Sequence, residues 1–173
     1  MRFQLDPPID RLLRDQMLAL WSDVTDAGGA VGFLPGTDPE VIRPELVRHL
    51  VAIAEGRARL LVGRDEEDGR VVATAFVYFN GHRLMKHWIW VYTVMVQPEQ
   101  QGGGSGRALM EAVAEAGRGF GGIEGIRLTC RGGTGAEHFY AACGYKEVGR
   151  VPGAIRTDDG DRDDITMWLP LHT

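Results

Sequence analysis

The sequence predicts a single domain of the α/β (α+β) class, spanning residues 1–173. The chain has 173 residues, a length that suits one domain. Hydrophobic periodicity is helical near the N-terminus and strand-like from about residue 60 onward. The predicted order is two helices, three antiparallel strands, a helix, a strand, a helix and two strands. Such an order favours one sheet flanked by helices.

The two N-terminal helices follow from their apolar spacing and their boundary signals. Residues 10–26 form an amphipathic helix with one stripe of apolar residues: Leu13, Met17, Leu20, Trp21 and Val24. A capping-box pattern at residues 37–40, with Pro39 near the first turn, starts a second helix. That helix ends near Gly56, and Pro44 is expected to kink or restart it.

The next three elements are strands, and the third of them is predicted to be central. Strands cover residues 60–62, 71–79 and 87–97, with a tight turn at Asn80-Gly81 between the last two. On the third strand, one face carries Trp88, Trp90, Tyr92, Val94 and Val96. The other face is also apolar, so both sides of this strand should be covered. Trp88, Trp90 and Tyr92 are either core residues or an aromatic wall for a ligand.

Two glycine-rich turns organise the second half of the chain. Gly102–Gly106 lead into a helix whose buried face holds Leu109, Val113 and Ala116. A strand at residues 126–130 is followed by a glycine-rich turn at 131–135 and a helix at 136–143. The last strands are residues 145–151 and 165–169, separated by an acidic loop at 157–164.

Composition excludes several classes of protein. The chain has 19 Lys and Arg against 24 Asp and Glu, a formal net charge of −5, which argues against general binding of nucleic acids or anionic membranes. Its two cysteines form neither a disulfide framework nor a zinc site. The acidic loop does not have the calcium-loop spacing, so no metal is expected. Without a signal peptide or a long apolar run, the expected location is the cytoplasm.

The glycine run after the central strand has the features of an anion-binding loop. Free N–H groups and the dipole at the start of a helix attract phosphates, and glycine lets the backbone approach them closely. No lysine follows the glycines as a P-loop requires, and neither register fits a dinucleotide fingerprint. The pattern Gln/Arg-x-x-Gly-x-Gly matches residues 101–106.

Two motifs together resemble the Gcn5-related N-acetyltransferase (GNAT) superfamily. The run VMVQPEQQGGGSGRALM at residues 94–110 resembles the coenzyme A loop of that family. The run AEHFYAACGY at residues 136–145 resembles its second signature, a helix with a tyrosine before a Gly-Tyr strand start. The C-terminal part is more weakly similar to tabtoxin-resistance-type acetyltransferases. The resemblance implies a GNAT-type fold, with a central mixed, mostly antiparallel sheet of about six to seven strands flanked by helices.

The resemblance also implies a site for acetyl-CoA as co-substrate. The pyrophosphate would lie on the N–H groups of Gln101, Gly102, Gly103, Gly104, Ser105, Gly106 and Arg107. The pantetheine arm would pair with the central strand at Val94, Met95 and Val96, as an added strand does. The N–H of Met95 or Val96 would stabilise the oxyanion that develops during attack.

Tyr140 matches the family's tyrosine and is the expected acid for the leaving thiolate, since a phenol's usual pKa of about 10 lies close to that of a thiol. Family members often carry a carboxylate on the central strand, and residues 88–96 contain none. The candidate bases are therefore His87, Tyr92, Glu137 and His138, of which His87 and Glu137 are carried forward with Tyr140. Cys130 and Cys143 are interpreted as small core residues, so the transfer should be direct.

The expected function is transfer of an acetyl group to the primary amine of a small molecule. Helix residues around Trp21, Asp23, Asp26 and Phe33, together with the 152–162 segment, should wall the acceptor site. The alternative is a non-catalytic acyl-CoA-binding sensor or partner module of the same fold. A third hypothesis, binding of a nucleotide phosphate without coenzyme A, fits the motif registers poorly. The family also suggests a possible homodimer.

Overall fold

The computed structural model describes residues 1–172, which contain four α-helices and seven β-strands. The helices are α1 (Arg11–Asp26), α2 (Pro39–Ala54), α3 (Ser105–Gly119) and α4 (Ala136–Ala142). The strands are β1 (Arg2–Leu5), β2 (Ala58–Arg64), β3 (Val71–Phe79), β4 (Trp88–Val96), β5 (Gly125–Arg131), β6 (Lys146–Thr157) and β7 (Gly160–Pro170). The predicted order of helices and strands is confirmed from α1 onward.

All seven strands form one mixed sheet, in the order β1-β2-β3-β4-β5-β7-β6. Only β4 and β5 pair in parallel, and every other neighbouring pair is antiparallel. The predicted fold class is confirmed, and β4 lies in the middle of the sheet as its apolar sequence indicates.

Two hydrophobic cores fill the two faces of the sheet. The first packs α1 and α2 against β2 and β3, around buried residues that include Leu13, Met17, Trp21, Ile42 and Phe76. The second packs α3 against the centre of the sheet, with Leu109, Val113, Ile89, Ile126 and Ile165 among its members. The start of α2 agrees with the sequence, although its cap is Asp38, whose Oδ1 accepts from the Glu40 N–H at 2.8 Å. This helix runs unbroken through Pro44.

Two parts of the sheet differ from the prediction. β1 is an additional strand that pairs with β2, and its mostly exposed residues show no apolar periodicity from which to predict it. The predicted acidic loop at 157–164 is instead a hairpin, because β7 begins at Gly160. Arginines on β6 form ion pairs with acidic residues on β7: Arg150 pairs with Asp163, and Arg156 pairs with Asp161.

A bulge in β4 changes which side chains face each core. The pairing register with β3 shifts between Thr74, opposite Met95, and Phe76, opposite Tyr92. Thr93 lies in this bulge with φ +50°, a region that a β-branched residue rarely adopts. The regular alternation predicted for residues 88–96 is therefore wrong after Tyr92. Val96 lies in the same core as Ile89, whereas Met95 lies in the α1–α2 core.

Candidate active site

β4 and β5 separate beyond their first residues, and this leaves backbone groups of β4 free. Their parallel pairing covers only Trp88 to Trp90 against Gly125 to Arg127. The Gln97 N–H donates to Val72 O on β3 at 2.7 Å. In an antiparallel strand the backbone N–H groups of alternate residues point to the same side. The Met95 N–H therefore also faces β3, and the Val96 N–H faces the gap between β4 and β5. Of the two predicted oxyanion donors, the geometry favours Val96.

The glycine loop presents a row of unpaired amides at the end of β4. Among residues 1–172, the N–H groups of residues 102–107 have no hydrogen-bond partner. Gly102 and Gly104 have φ values of +81° and +91°, and no atom lies within 4 Å of a Cβ built on either. Gly104 caps α3 without a side-chain hydrogen bond. An anion can therefore approach this helix start directly, which is how phosphates bind at such positions.

Side-chain hydrogen bonds hold the approach to this loop in place. Gln101 Nε2 donates to Val96 O at 2.9 Å. Gln97 Nε2 donates to Asp23 Oδ2 at 2.9 Å, and Gln100 Nε2 donates to Asp65 Oδ2 at 2.9 Å. These three bonds tie the segment between β4 and α3 to the rest of the domain before any ligand binds.

A cavity of about 510 Å³ lies between the glycine loop and α4. We call it the donor cavity. Its polar side is formed by Gln101, Gly102, Gly104, Gly106 and Arg107, and its other lining residues include Val94, Val96, Cys130, Phe139 and Tyr140. The cavity therefore joins the free amides of the loop to the open edge of β4. Gly103 and Ser105, also predicted to bind the cofactor, do not line it.

A second cavity of about 560 Å³, which we call the acceptor cavity, lies beside the donor cavity. Five residues line both cavities: Ala30, Val31, Val94, Thr129 and Tyr140. Four of its other nine lining residues are aromatic, namely Trp21, Phe33, His49 and Tyr92, and Glu45 supplies its one carboxylate. Trp21 and Phe33 are thus placed as predicted, whereas Asp23, Asp26 and the 152–162 segment line neither cavity.

His49 on α2 is the one imidazole that lines the acceptor cavity. Its ring stacks on Phe76 with centroids 4.0 Å apart. Its Nδ1 lies 2.6 Å from the Tyr78 hydroxyl, and its Nε2 lies 3.3 Å from the hydroxyl of Thr93 in the bulge. Burial lowers the pKa of His49 to about 4, so the imidazole is neutral near pH 7.

We expect His49 to make the stability of the protein depend on pH. Its folded pKa of about 4 lies below the ordinary value of 6.5, so the unfolded chain binds a proton that the folded chain does not. The contribution to the free energy of unfolding is constant above about pH 6.5 and falls as the pH drops towards 4. For a shift of this size, about 2 kcal/mol should be lost between pH 7 and pH 5.

Urea unfolding at both pH values measures this dependence. His49→Gln should reduce the difference between pH 7 and pH 5 by about that amount, whereas His87→Gln, which removes an exposed imidazole, should leave it as in the wild type. An unchanged difference in His49→Gln would show that His49 is not held neutral.

Tyr140 stands on the wall shared by the two cavities, as an acid for a leaving thiolate must. Its ring packs against Phe139 and Tyr145, at centroid distances of 5.1 and 5.8 Å. Burial raises the pKa of the Tyr140 phenol well above its ordinary value. The phenol is therefore protonated and able to donate a hydrogen bond, but it is a weaker acid than the sequence argument assumed.

The other two catalytic candidates lie outside both cavities. Glu137 Oε1 accepts from the Gly133 N–H at 3.1 Å, and hydrogen bonds from its own backbone N–H and from that of Gly133 lower the pKa of Glu137. This carboxylate is therefore engaged with the 131–135 turn, which it stabilises, and it does not face either cavity. His87 is exposed at the opposite end of β4 from the bulge, roughly 16 Å along the strand from Tyr92. His138 is also exposed and lines neither cavity.

Both cysteines border the donor cavity. Burial, helped by nearby carboxylates, raises the pKa of Cys130 to about 11. Burial also raises the pKa of Cys143. A thiol is a nucleophile only as the thiolate, so neither cysteine is activated.

His49 and Glu45 were not among the residues selected from the sequence. For His49, the sequence feature that could have indicated a buried position is its spacing on α2. It lies three residues after Leu46 and four before Ile53, on the apolar stripe of that helix. A histidine on such a stripe faces the interior, but only the packing of α2 beside the bulge shows that it reaches a cavity.

Within residues 1–172, no helix is both long and apolar enough to cross a bilayer. The described residues contain no group of three or more His, Cys, Asp or Glu side chains arranged to hold a metal ion.

Comparison with known proteins identifies the family and the fold. The sequence profile of the Acetyltransferase (GNAT) family matches residues 20–145. The fold is similar to that of a ribosomal-protein-alanine N-acetyltransferase from Brucella melitensis, with a TM-score of 0.74, 19% identity, and coverage of 98% of this chain and 99% of that one. An N-acetyltransferase from Staphylococcus aureus Mu50 gives a TM-score of 0.76 at 15% identity, covering 99% and 100% of the two chains.

A further similar structure contains a ligand. It is yncA from Salmonella typhimurium, solved with its cofactor acetyl-CoA. The TM-score is 0.74 at 17% identity, over 98% of this chain and 94% of that chain.

Proposed function

Because this chain belongs to the GNAT family of acetyltransferases, we propose that it transfers the acetyl group of acetyl-CoA to the primary amine of a small molecule. One observation carries the proposal: the amide-lined donor cavity and the aromatic acceptor cavity share a wall at Tyr140, Val94 and Thr129. A donor and an acceptor bound on the two sides of this wall would meet beside Tyr140. An acceptor cavity of about 560 Å³ suits a small ligand.

The donor cavity provides the groups that coenzyme A requires. The free amides of residues 102–107 and the Arg107 side chain would bind the diphosphate. The open edge of β4 would pair with the amide groups of the pantetheine arm. Val96 has its N–H directed into the gap, where it would donate to the thioester oxygen as negative charge develops there.

The acceptor amine must lose a proton, because an ammonium has no lone pair with which to attack. Glu45 lines the acceptor cavity and pairs with Arg48 through Oε1 at 2.6 Å, and its other carboxylate oxygen would accept a hydrogen bond from the ammonium. We assign the proton acceptor to the neutral His49, whose Nε2 faces the Thr93 hydroxyl at the cavity wall. This assignment replaces His87 and Glu137, which the fold keeps away from the acceptor cavity.

The reaction then needs no covalent intermediate on the protein. The amine nitrogen bonds to the thioester carbon, and the carbon–sulfur bond breaks. Tyr140 would donate a hydrogen bond to the leaving thiolate. Since the pKa of Tyr140 is raised, the phenol would stabilise the sulfur mainly as a hydrogen-bond donor.

Thiol release from acetyl-CoA, measured across a panel of primary amines, tests the proposed activity. We expect amine-dependent release together with a thermal shift by coenzyme A that ATP and NAD do not produce. Binding of acetyl-CoA without release for any amine would favour the non-catalytic acyl-CoA-binding alternative. A thermal shift with ATP but none with coenzyme A would favour a nucleotide-phosphate site.

Direct transfer makes a specific prediction for the cysteines. Because burial raises the pKa of Cys130 to about 11 and keeps its thiol protonated, the double variant Cys130→Ala, Cys143→Ala should keep kcat within about threefold of the wild type. Mass spectrometry after incubation with acetyl-CoA alone should find no acetylated protein. A stoichiometric acetyl adduct, lost in the double variant, would contradict direct transfer.

A further inference from the structure

Three tryptophans and an arginine form a cluster that belongs to neither hydrophobic core. Trp88, Trp90, Trp168 and Arg127 are its members, and we call them the tryptophan cluster. The ring centroids of Trp88 lie 5.3 Å from Trp90 and 6.1 Å from Trp168. None of these residues packs into the cores formed with α1 and α2 or with α3. The sequence leaves two interpretations of Trp88 and Trp90: core residues, or an aromatic wall for a ligand. Because neither residue belongs to the two hydrophobic cores, packing in those cores does not explain them.

The tryptophan cluster is continuous with the acceptor cavity. Trp90 stacks on Tyr92, with centroids 5.5 Å apart and ring planes at 21°, and Tyr92 lines that cavity. At its other end the cluster borders a hollow of about 360 Å³, lined by Trp88, Arg127, Val148, Gly149, Thr166 and Trp168. An aromatic floor therefore leads from the acceptor cavity to a second recess.

Arg127 carries a positive charge on this floor that no described residue balances. Its guanidinium carbon lies 4.4 Å from the ring centroid of Trp90 and 5.6 Å from that of Trp88. Within residues 1–172 it forms no ion pair, and its Nε is buried without a hydrogen-bond partner. Its charge also acts on the Tyr92 phenol, where it opposes the rise in pKa that burial causes. The guanidinium therefore lies over the aromatic floor, within electrostatic reach of Tyr92 at the acceptor cavity.

Each of the two recesses has one charged residue in its lining. In the acceptor cavity it is Glu45, which already pairs with Arg48 through Oε1 at 2.6 Å, and the imidazole of His49 is neutral there. Arg127 is the one charged residue that lines the second recess. Arg127 pairs in register with Trp90, two residues or roughly 7 Å along β4 from Tyr92. Of the two, Arg127 is the charge without an ion pair among the described residues. A ligand that binds it with an anion and places an amine in the acceptor cavity needs the two groups separated by more than the single carbon of an α-amino acid.

We propose that the acceptor amine carries a remote carboxylate, which Arg127 binds, joined to the amine by a flat apolar spacer that lies on Tyr92 and Trp90. This inference rests on the proposed function and names the class of acceptor. A guanidinium held against an aromatic ring is pre-organised to bind a carboxylate through its N–H groups. The aromatic floor favours a planar spacer, since stacked rings give additional stabilisation.

Three amines with the same ring test the proposal: 4-(aminomethyl)benzoate, 4-methylbenzylamine and 1,4-bis(aminomethyl)benzene. Their remote groups are negative, neutral and positive. We expect kcat/KM for the benzoate to exceed that for the methyl compound by about tenfold, as one charge-assisted contact allows, and the diamine to be the poorest of the three. Equal values for the three amines, or a preference for the diamine, would overturn the proposal.

Variants of Arg127 then identify the residue responsible. Arg127→Gln should reduce the ratio of kcat/KM between the benzoate and the methyl compound to near one, and Arg127→Lys should recover part of it. The matched control is Arg43→Gln, which changes an exposed arginine paired with Glu40 and should keep the wild-type ratio. A ratio that survives in Arg127→Gln would contradict the assignment.

Calorimetry separates this proposal from the proposed function. Binding of the three amines is measured in the presence of coenzyme A, which lacks the acetyl group and gives no turnover. Selective binding of the benzoate that Arg127→Gln abolishes, without thiol release from acetyl-CoA, would uphold recognition of the remote carboxylate by Arg127 and contradict the enzymatic function. Turnover of all three amines at equal kcat/KM would uphold the function and contradict the inference.

Discussion

Replacing Tyr140 by phenylalanine is expected to lower kcat by about 10- to 100-fold, with little change in the affinity for coenzyme A. The hydroxyl stands at the wall shared by the donor and acceptor cavities, and it would stabilise the leaving thiolate through one hydrogen bond. Removing a single donor from developing negative charge has effects of this order, and general acids contribute about 10²-fold or more. Steady-state thiol release and calorimetry with coenzyme A measure the two quantities.

Tyr145→Phe is the matched control for this prediction. Tyr145 packs against Tyr140, but its hydroxyl is buried without a partner in the described residues and lines neither cavity. This variant should keep the wild-type kcat, since it removes the same atom from the neighbouring ring. If Tyr140→Phe turns over at the wild-type rate, or if Tyr145→Phe loses as much activity, the role given to Tyr140 is wrong.

Gly104→Ala is expected to raise the Kd for coenzyme A by about tenfold or more. Gly104 has φ +91°, and an L-residue in the left-handed region costs about 1–2 kcal/mol, which the loop would relieve by moving its amides. Calorimetry with coenzyme A gives the Kd. Competition by pantetheine, which lacks the diphosphate, should be nearly unaffected by the substitution.

Gly103→Ala serves as the control in the same loop. Its φ is not in the left-handed region, no atom lies within 4 Å of a Cβ built there, and it does not line the donor cavity. The Kd for coenzyme A should stay within about threefold of the wild type, because neither strain nor obstruction is introduced. Equal losses at both positions would indicate general sensitivity of the loop, and no loss at Gly104 would contradict diphosphate binding there.

The parts of the site that local sequence determines could be predicted. The glycine loop follows a strand and starts a helix, so its residues appear in one continuous run and its free amides follow from helix geometry. Tyr140 belongs to a second continuous run, and the structure places it on the wall of the donor cavity. Each of these two motifs lies within about 20 consecutive residues, so it can be recognised from local sequence alone.

The acceptor cavity could not be predicted in the same way. It depends on α2 packing over the sheet, which brings the His49 side chain to the Thr93 hydroxyl across 44 positions of sequence. The bulge at Thr93 cannot be predicted from the sequence, because a continuous apolar strand gives no sign of a shift in pairing register. Threonine, moreover, rarely adopts a positive φ, so its presence does not indicate one. The sequence therefore suggests His87 and Glu137 as bases, and the fold keeps both of them outside the two cavities.

The crystal structure of the protein with coenzyme A is the most direct test of the account. We expect the diphosphate oxygens to accept hydrogen bonds from backbone amides of residues 102–107, the pantetheine arm to lie along β4 at Val94 to Val96, and the sulfur to lie within hydrogen-bond reach of the Tyr140 hydroxyl. A diphosphate bound away from the glycine loop, or a sulfur directed away from Tyr140, would contradict it.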